Sequence, residues 1–209
     1  MQFHELTQGK SKLYLLEFSD DFKPEDYLDK LTSIEQERYF GFNNLKRQQE
    51  FVATRYLKHE IFGYDEIKYL DHGAPFLEQE GYISISHAQN LVGIANNKDF
   101  AIGFDIEAIH DKVLKIYSKF LSLEEQSFFD LESAEELITS WSLKETLYKL
   151  AGRKLIDFKK DLVLLNYKEL KADAQINNPT EILTTQLEAL KFNKHIITIN
   201  SKAVEYAGI

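Results

Sequence analysis

Sliding the chain over itself by 90 residues sets Leu31 on Leu121, Glu35-Gln36 on Glu125-Gln126, Tyr39 on Phe129, Phe51 on Trp141 and Leu57 on Leu147. The identities are few. The offset gains weight because it also superposes, in each half, a helix, a short loop, a longer amphipathic helix and then β-rich sequence. Helical periodicity is clearest over 47–62 and 134–150, and segments 24–40 and 111–129 read as helical too. Strand-like runs lie at Leu13–Phe18, Tyr82–Ser86, Leu91–Ala95, Ala101–Glu107, Leu162–Leu165 and His195–Ile199. The expected class is α+β, with helices covering one face of mainly antiparallel sheet. Only three prolines and nine glycines punctuate the chain and no low-complexity linker divides it, so two similar halves, 1–102 and 103–209, must pack closely.

With 209 residues, 44% of them hydrophobic, the chain can fill the core of one ordinary domain or two small ones. It has no cysteine, which removes disulfide and thiolate chemistry. A formal net charge of −9 opposes general nucleic-acid binding, which needs a basic field to displace counterions from phosphates. No stretch approaches the roughly 18 consecutive apolar residues of a membrane span. The opening Met1-Gln-Phe-His-Glu-Leu6 lacks the basic and apolar regions of a secretion signal. A soluble, cytoplasmic, monomeric protein with neither nucleic-acid nor membrane partners is expected.

Alternation along Ala101–Glu107 puts Ile102, Phe104 and Ile106 on one face and Gly103, Asp105 and Glu107 on the other. The two carboxylates then project together, roughly 7 Å apart at their Cα atoms. That is either the wet face of an amphipathic strand or a pair that needs a cation or base between its charges. On the helix ending Trp141-Ser-Leu-Lys-Glu-Thr-Leu-Tyr-Lys149, Glu145 falls within the apolar arc of Leu137, Trp141 and Tyr148. It either pairs with Lys149 one turn on, or meets Asp105 and Glu107 around a hard divalent cation such as Mg²⁺ with Lys149 aimed at an anion. Ser84-Ile-Ser-His87 ends a strand in two hydroxyls and an imidazole, which suit phosphate but also suit ordinary structural bonding. Arg47, Arg55 and Lys58 form a basic helix on an acidic protein; such cations are either solvated or aimed at phosphate.

Taken together and in order, Ser84–His87, Gly103–Glu107 and Trp141–Lys149 resemble the signature blocks of the 4′-phosphopantetheinyl transferases, over a span from about Arg38 to Leu155. The length is similar to that of the larger type, which activates surfactin synthetase and related systems and is an intramolecular pseudodimer. The resemblance implies transfer of phosphopantetheine from coenzyme A to a serine of an apo acyl or peptidyl carrier protein, releasing adenosine 3′,5′-bisphosphate. It implies Asp105, Glu107 and Glu145 as ligands of Mg²⁺, and Glu145 and Lys149 as catalytic residues. Arg47, Arg55, Ser86, His87, Lys144 and Lys149 are the implied coenzyme A contacts.

The family commonly carries Gly-Lys-Pro before the Ser/His block, whereas here His72-Gly-Ala-Pro75 puts Ala74 at the lysine position. Arg47, Arg55 or His72 would then have to replace one cationic phosphate contact. The missing lysine keeps a second reading open, a catalytically silent module that binds coenzyme A or a carrier protein. A phosphodiesterase using the same carboxylates is a third reading, opposed by the acidic charge. A purely structural reading is the fourth.

Overall fold

The computed structural model describes residues 1–70, 74–152 and 155–208. The first half opens with the hairpin β1 (Gln2–Gln8) and β2 (Ser11–Glu17), followed by α1 (Ser33–Phe40) and α2 (Leu45–Phe62). Strands β3 (Lys68–Tyr69), β4 (Pro75–Leu77), β5 (Gly81–Ala88) and β6 (Leu91–Asn97) close it. The second half runs β7 (Phe104–Ala108), α3 (Tyr117–Phe120), α4 (Leu123–Gln126) and α5 (Ala134–Ala151). It ends with β8 (Leu162–Leu164), β9 (Lys171–Asn178), β10 (Glu181–Phe192), β11 (His195–Asn200) and β12 (Glu205–Gly208).

The strands form two mixed-length antiparallel sheets, ordered β1-β2-β6-β5-β4-β3 and β7-β11-β10-β9-β8, with β12 on β10. Omitting β1 and β12, each sheet is a strand that leaves for the helices and a four-strand meander whose last strand returns to it. Helix starts repeat as well. Thr32 and Glu35 form a capping box at α1, and Ser122 and Glu125 form one at α4. The Gln36 amide donates to the Leu31 carbonyl and the Gln126 amide to that of Leu121, both at 3.2 Å.

Alternation decides which way each layer faces. Tyr14 and Leu16 of β2 join Val52, Ala53 and Leu57 of α2 in one core, while Leu13 and Leu15 turn the other way. There they meet Phe104 and Ile106 of β7 and Ile197 and Ile199 of β11, so an apolar seam joins the two sheets. Gly93 of β6 makes this approach possible, because a Cβ there would lie 2.7 Å from the Phe104 ring and 2.8 Å from Leu15 and Ile106. A third core under α5 holds Leu137, Leu143 and Leu147 against β8, β9 and Ile196.

The segments 24–40 and 111–129 prove broken: each opens with a 3-10 turn, Pro24–Lys30 and Asp111–Lys115, before its short α-helices. The strand expected from Ala101 begins only at Phe104. Asn200 explains this, since its side chain takes the Gly103 N–H at 2.8 Å and donates to the Ala101 carbonyl at 3.1 Å, occupying groups a ladder would use. Among the described residues no helix is long and apolar enough to cross a membrane.

Candidate active site

The site forms where the outer edge of β7 meets β5 and α5. An unpaired edge strand needs its main-chain groups covered. Serines of β5 do this: Ser84 Oγ donates to the Phe104 carbonyl at 3.5 Å, and Ser86 Oγ accepts the Ile106 N–H at 3.1 Å. On the other side α5 lies directly against β7, because Gly103 has no side chain; a Cβ there would sit 2.6 Å from the Thr146 carbonyl. Asp105, on the same face as Gly103, is thereby enclosed between two elements.

Asp105 accepts three hydrogen bonds. Ser86 Oγ at 2.9 Å and Lys149 Nζ at 3.0 Å reach Oδ1, and Ser142 Oγ reaches Oδ2 at 2.9 Å. Lys149 also donates to the Phe104 carbonyl at 2.6 Å and the Ile85 carbonyl at 3.4 Å, so one ammonium ties both halves together. Lys149 is thus drawn across to β7 rather than held by Glu145 along its own helix. Glu107 accepts the indole N–H of Trp141 at 2.8 Å, and that ring stacks on Phe158.

Burial and the Asp105 charge push the Glu107 carboxyl up to about 7, with Glu145 adding to the effect and the Trp141 hydrogen bond opposing it. Glu145 is pushed up to about 7 by burial and by Asp105, against the pull of Lys149. The three carboxylates therefore sense one another's charge, as expected of groups that share a site. As they stand, no set of three His, Asp or Glu side chains among the described residues is drawn together tightly enough to cage an ion.

Beside this acidic cluster lies a cationic cavity of about 130 Å³ lined by Arg38, Arg47, Arg55, His87, Glu50 and Phe51 among others. Arg47 Nη1 donates to His87 Nε2 at 3.1 Å, and Glu50 lies 3.4 Å from His87 Nδ1. A guanidinium cannot accept, so His87 is neutral with its proton on Nδ1. Burial lowers the His87 pKa, with Arg47 and Lys149 adding to that effect and Glu50 opposing it. The guanidiniums of Arg55 and Arg38 stand 5.1 and 5.7 Å from the Phe51 ring centroid, so α1 and α2 together supply the cavity's charge.

Asp105, Glu107, Glu145, Lys149 and Ser86 come together around β7, and Arg47, Arg55 and His87 around the cavity. Lys144 does not join either group. It is wholly buried, pairs with Glu125 and donates to the Phe158 and Leu162 carbonyls, which corrects its reading as a coenzyme A contact. The reason is the α4 capping box, which leaves a carboxylate in the core that only a cation can compensate. Lys58 is likewise buried, donating to the Gly63 carbonyl at 2.9 Å. Ser86 acts on β7 and Asp105 rather than offering a free hydroxyl. His72 lies outside the described residues. Arg38 and Glu50 carry no motif of their own in the sequence, and Ser142 has no role assigned to it within the Trp141–Lys149 block; all three emerge from the packing of α1, α2 and α5.

Comparison with known families meets this geometry at the same strand and helix. Residues 101–199 match the 4′-phosphopantetheinyl transferase superfamily. The matched span contains β7, α5 and β11, hence Asp105, Glu107, Glu145 and Lys149, and supports phosphopantetheine transfer in general terms. No individual curated protein matches the chain.

Proposed function

We propose that the protein transfers the phosphopantetheine arm of coenzyme A to a serine of an apo acyl or peptidyl carrier protein, as a cytoplasmic, monomeric, Mg²⁺-dependent enzyme of the larger, pseudodimeric type. The observation that carries the reading is the enclosure of Asp105, Glu107, Glu145 and Lys149 at the β5–β7–α5 junction, within the segment that matches the transferase superfamily. The repeated strand order and the two capping boxes support a pseudodimer with halves 1–102 and 103–209.

Asp105, Glu107 and Glu145 would hold the metal: an all-oxygen donor set, two of whose members resist ionisation beside the third, fits a hard divalent cation. When bound, Mg²⁺ would neutralise charge on the pyrophosphate. The cavity of Arg38, Arg47, Arg55 and His87 would bind the adenosine-side phosphates, its arginines standing in for the lysine replaced by Ala74. In the transfer, the carrier serine oxygen attacks the phosphorus of the phosphopantetheine arm. The bond from that phosphorus to the bridging oxygen breaks, and adenosine 3′,5′-bisphosphate leaves. Glu145 would take the serine proton, directly or through water. Lys149 would stabilise the leaving pyrophosphate oxygen by exchanging its longest contact, the Ile85 carbonyl.

The test is intact-mass spectrometry of an apo carrier protein incubated with the protein, coenzyme A and Mg²⁺. A gain of about 340 Da, the mass of one phosphopantetheine, that EDTA abolishes is the expected result. Coenzyme A binding without any gain on several carriers would select the silent module, the reading that Ala74 favours.

A further inference from the structure

The cationic cavity holds one group that the phosphate reading does not use, a carboxylate set among its arginines. From α2 the cavity is lined by Arg47, Glu50, Phe51, Thr54 and Arg55, a spacing that keeps all five on one helix face, opposite Ile85 and His87 of β5. Glu50 is the one carboxylate among the described lining residues. Its side chain is only 11% exposed, and it lies 3.9 Å from Lys46, 3.7 Å from Arg47 and 3.4 Å from His87 Nδ1. Each of these contacts is longer than the roughly 2.7–2.9 Å of a charge-assisted hydrogen bond. The Thr54 hydroxyl goes to the Glu50 main-chain carbonyl, at 2.7 Å, and among the described residues no hydrogen bond reaches the carboxylate.

The opposite deficit lies in the same cavity. Arg55 is buried, and its Nε and Nη1 have no hydrogen-bond acceptor among the described residues, although Glu35 Oε1 stands 3.5 Å from Nε. Glu50 does not meet that need, because its close contacts are with Lys46, Arg47 and His87. Glu35 and Glu125, also little exposed, are bonded instead: they accept the Thr32 N–H at 3.0 Å and the Leu164 N–H at 2.9 Å. Buried donors without an acceptor suit an anionic ligand, and a carboxylate held by charge without hydrogen bonds is one that a ligand can displace. Glu50 thus offsets part of the cavity's positive charge and repels any anion that enters. A singly charged anion offers Arg47 and His87 no more than Glu50 already does. A doubly charged phosphate offers more charge and more acceptor oxygens.

We infer that Glu50 is a specificity-determining residue, a built-in counter-ion that a ligand must displace from Arg47 and His87, so that the cavity admits doubly charged phosphate groups and keeps out singly charged anions. The inference rests on the reading of this cavity as the site of the adenosine-side phosphates. It is tested by calorimetric titration of the full chain with coenzyme A at pH 8 and fixed ionic strength, with methyl phosphate or dimethyl phosphate as competitor. At that pH the monoester carries two charges and the diester one. The wild type is expected to release coenzyme A to the monoester and not to the diester. Glu50→Gln should bind coenzyme A about tenfold more tightly, since a like charge is removed, and should respond to both esters. If Glu50→Gln does not fold, Glu50→Asp carries the test: its shorter side chain draws the charge back from His87, and the shift is smaller in the same direction. Coenzyme A binding equal to or weaker than that of the wild type, or continued exclusion of the diester, overturns the inference alone and leaves Glu50 as a support for Arg47 and His87. A wild type that binds no coenzyme A, or holds it against the monoester, overturns the phosphate reading of the cavity and this inference with it. The measurement reads binding rather than transfer, so its result stands whether or not the carrier protein is modified.

Discussion

Glu35 and Glu125 occupy matching places in the two helix–sheet units and share one task, closing a capping box on Thr32 and Ser122. Their second tasks differ. Glu35 stays near the surface of its unit, accepting from His59 at 2.8 Å with the Arg55 Nε at 3.5 Å. Glu125 sinks into the core, where it takes the Leu164 N–H at 2.9 Å and the Lys144 ammonium. The difference continues along the long helices. The place of Glu145 on α5 is held by Arg55 on α2 and that of Lys149 by His59, while the strand face turned to the long helix carries Asp105 on β7 and Tyr14 and Leu16 on β2. One framework thus carries an acidic cluster in one unit and a cationic cavity in the other, and the two face each other across β5 and β7. A few differences between units of like strand order are enough to give neighbouring clusters of opposite charge.

The largest expected effect separates the two buried pairs. Lys144→Met leaves the Glu125 carboxylate buried without its cation and is expected to destabilise the fold by about 3–5 kcal/mol in urea unfolding. Arg55→Met should cost far less, about 1 kcal/mol, because Glu35 keeps its hydrogen bonds from Thr32 and His59. Equal losses would erase the distinction between the units.

Next come the kinetic consequences. Glu145→Gln is expected to lower the transfer rate by about 10² or more, since it removes the proposed base. Arg47→Ala, on the cationic side, should instead raise the KM for coenzyme A about tenfold with kcat little changed, as loss of a charge-assisted phosphate contact does. Steady-state rates by intact mass would separate them; an Arg47 variant losing kcat alone would place that side chain at the reaction rather than at binding.

How much of this was legible beforehand follows from the strength of each signal. The helices α2 and α5 and strands β2, β5, β6 and β11 carry dense apolar periodicity and were readable. The strands β9 and β10 were not: in β9 the buried positions are Ala172, Ala174 and Ile176, and alanine is a weak strand former. Alternation placed Asp105 and Glu107 on one face and helical phase put Glu145 in the apolar arc of its helix, but joining the three rested on the family resemblance. Lys144 misled because its neighbours in sequence face the site while its own partner, Glu125, is distant in sequence. The role of Ser142 could not be found at all, since its contact with Asp105 is set by the docking of α5 on β7 permitted by Gly103.

That docking gives a third, smaller effect. Gly103→Ala must push α5 from β7, because the new methyl meets the Thr146 backbone at 2.6 Å and Leu150 at 2.7 Å. Gly93→Ala meets only side-chain tips. Both overpack, at about 1–3 kcal/mol. Gly103→Ala alone should also weaken the Mg²⁺ response, because the displaced helix carries Ser142 and Lys149. A Gly103→Ala protein with unaltered cation response would show that α5 need not lie so close.

The smallest effect is one of pH, and its sign differs between the units. In metal-free protein Glu107 and Glu145 are held up at about 7, so between about 4.5 and 7 the folded chain binds more protons than the unfolded one. Stability from this source is full below that window and is lost as pH rises through it. Glu35 runs the other way. Burial opposes its ionisation, but hydrogen bonds from His59 and Thr32 and the charge of Arg55 hold it down at about 2. Its contribution is present above about 4.5 and lost as pH falls towards 2. His87, lowered by burial, gains stability with rising pH and partly masks the first trend. The decisive quantity is therefore the difference between profiles. In EDTA, Glu145→Gln should gain on the wild type by on the order of 1–2 kcal/mol between pH 5 and 8, after allowance for solvent screening. Glu35→Gln should show no such gain in that range, only a lost advantage in acid. Parallel profiles for wild type and Glu145→Gln from pH 5 to 8 would mean that the three carboxylates are not electrostatically joined, and the acidic half of the comparison would fail.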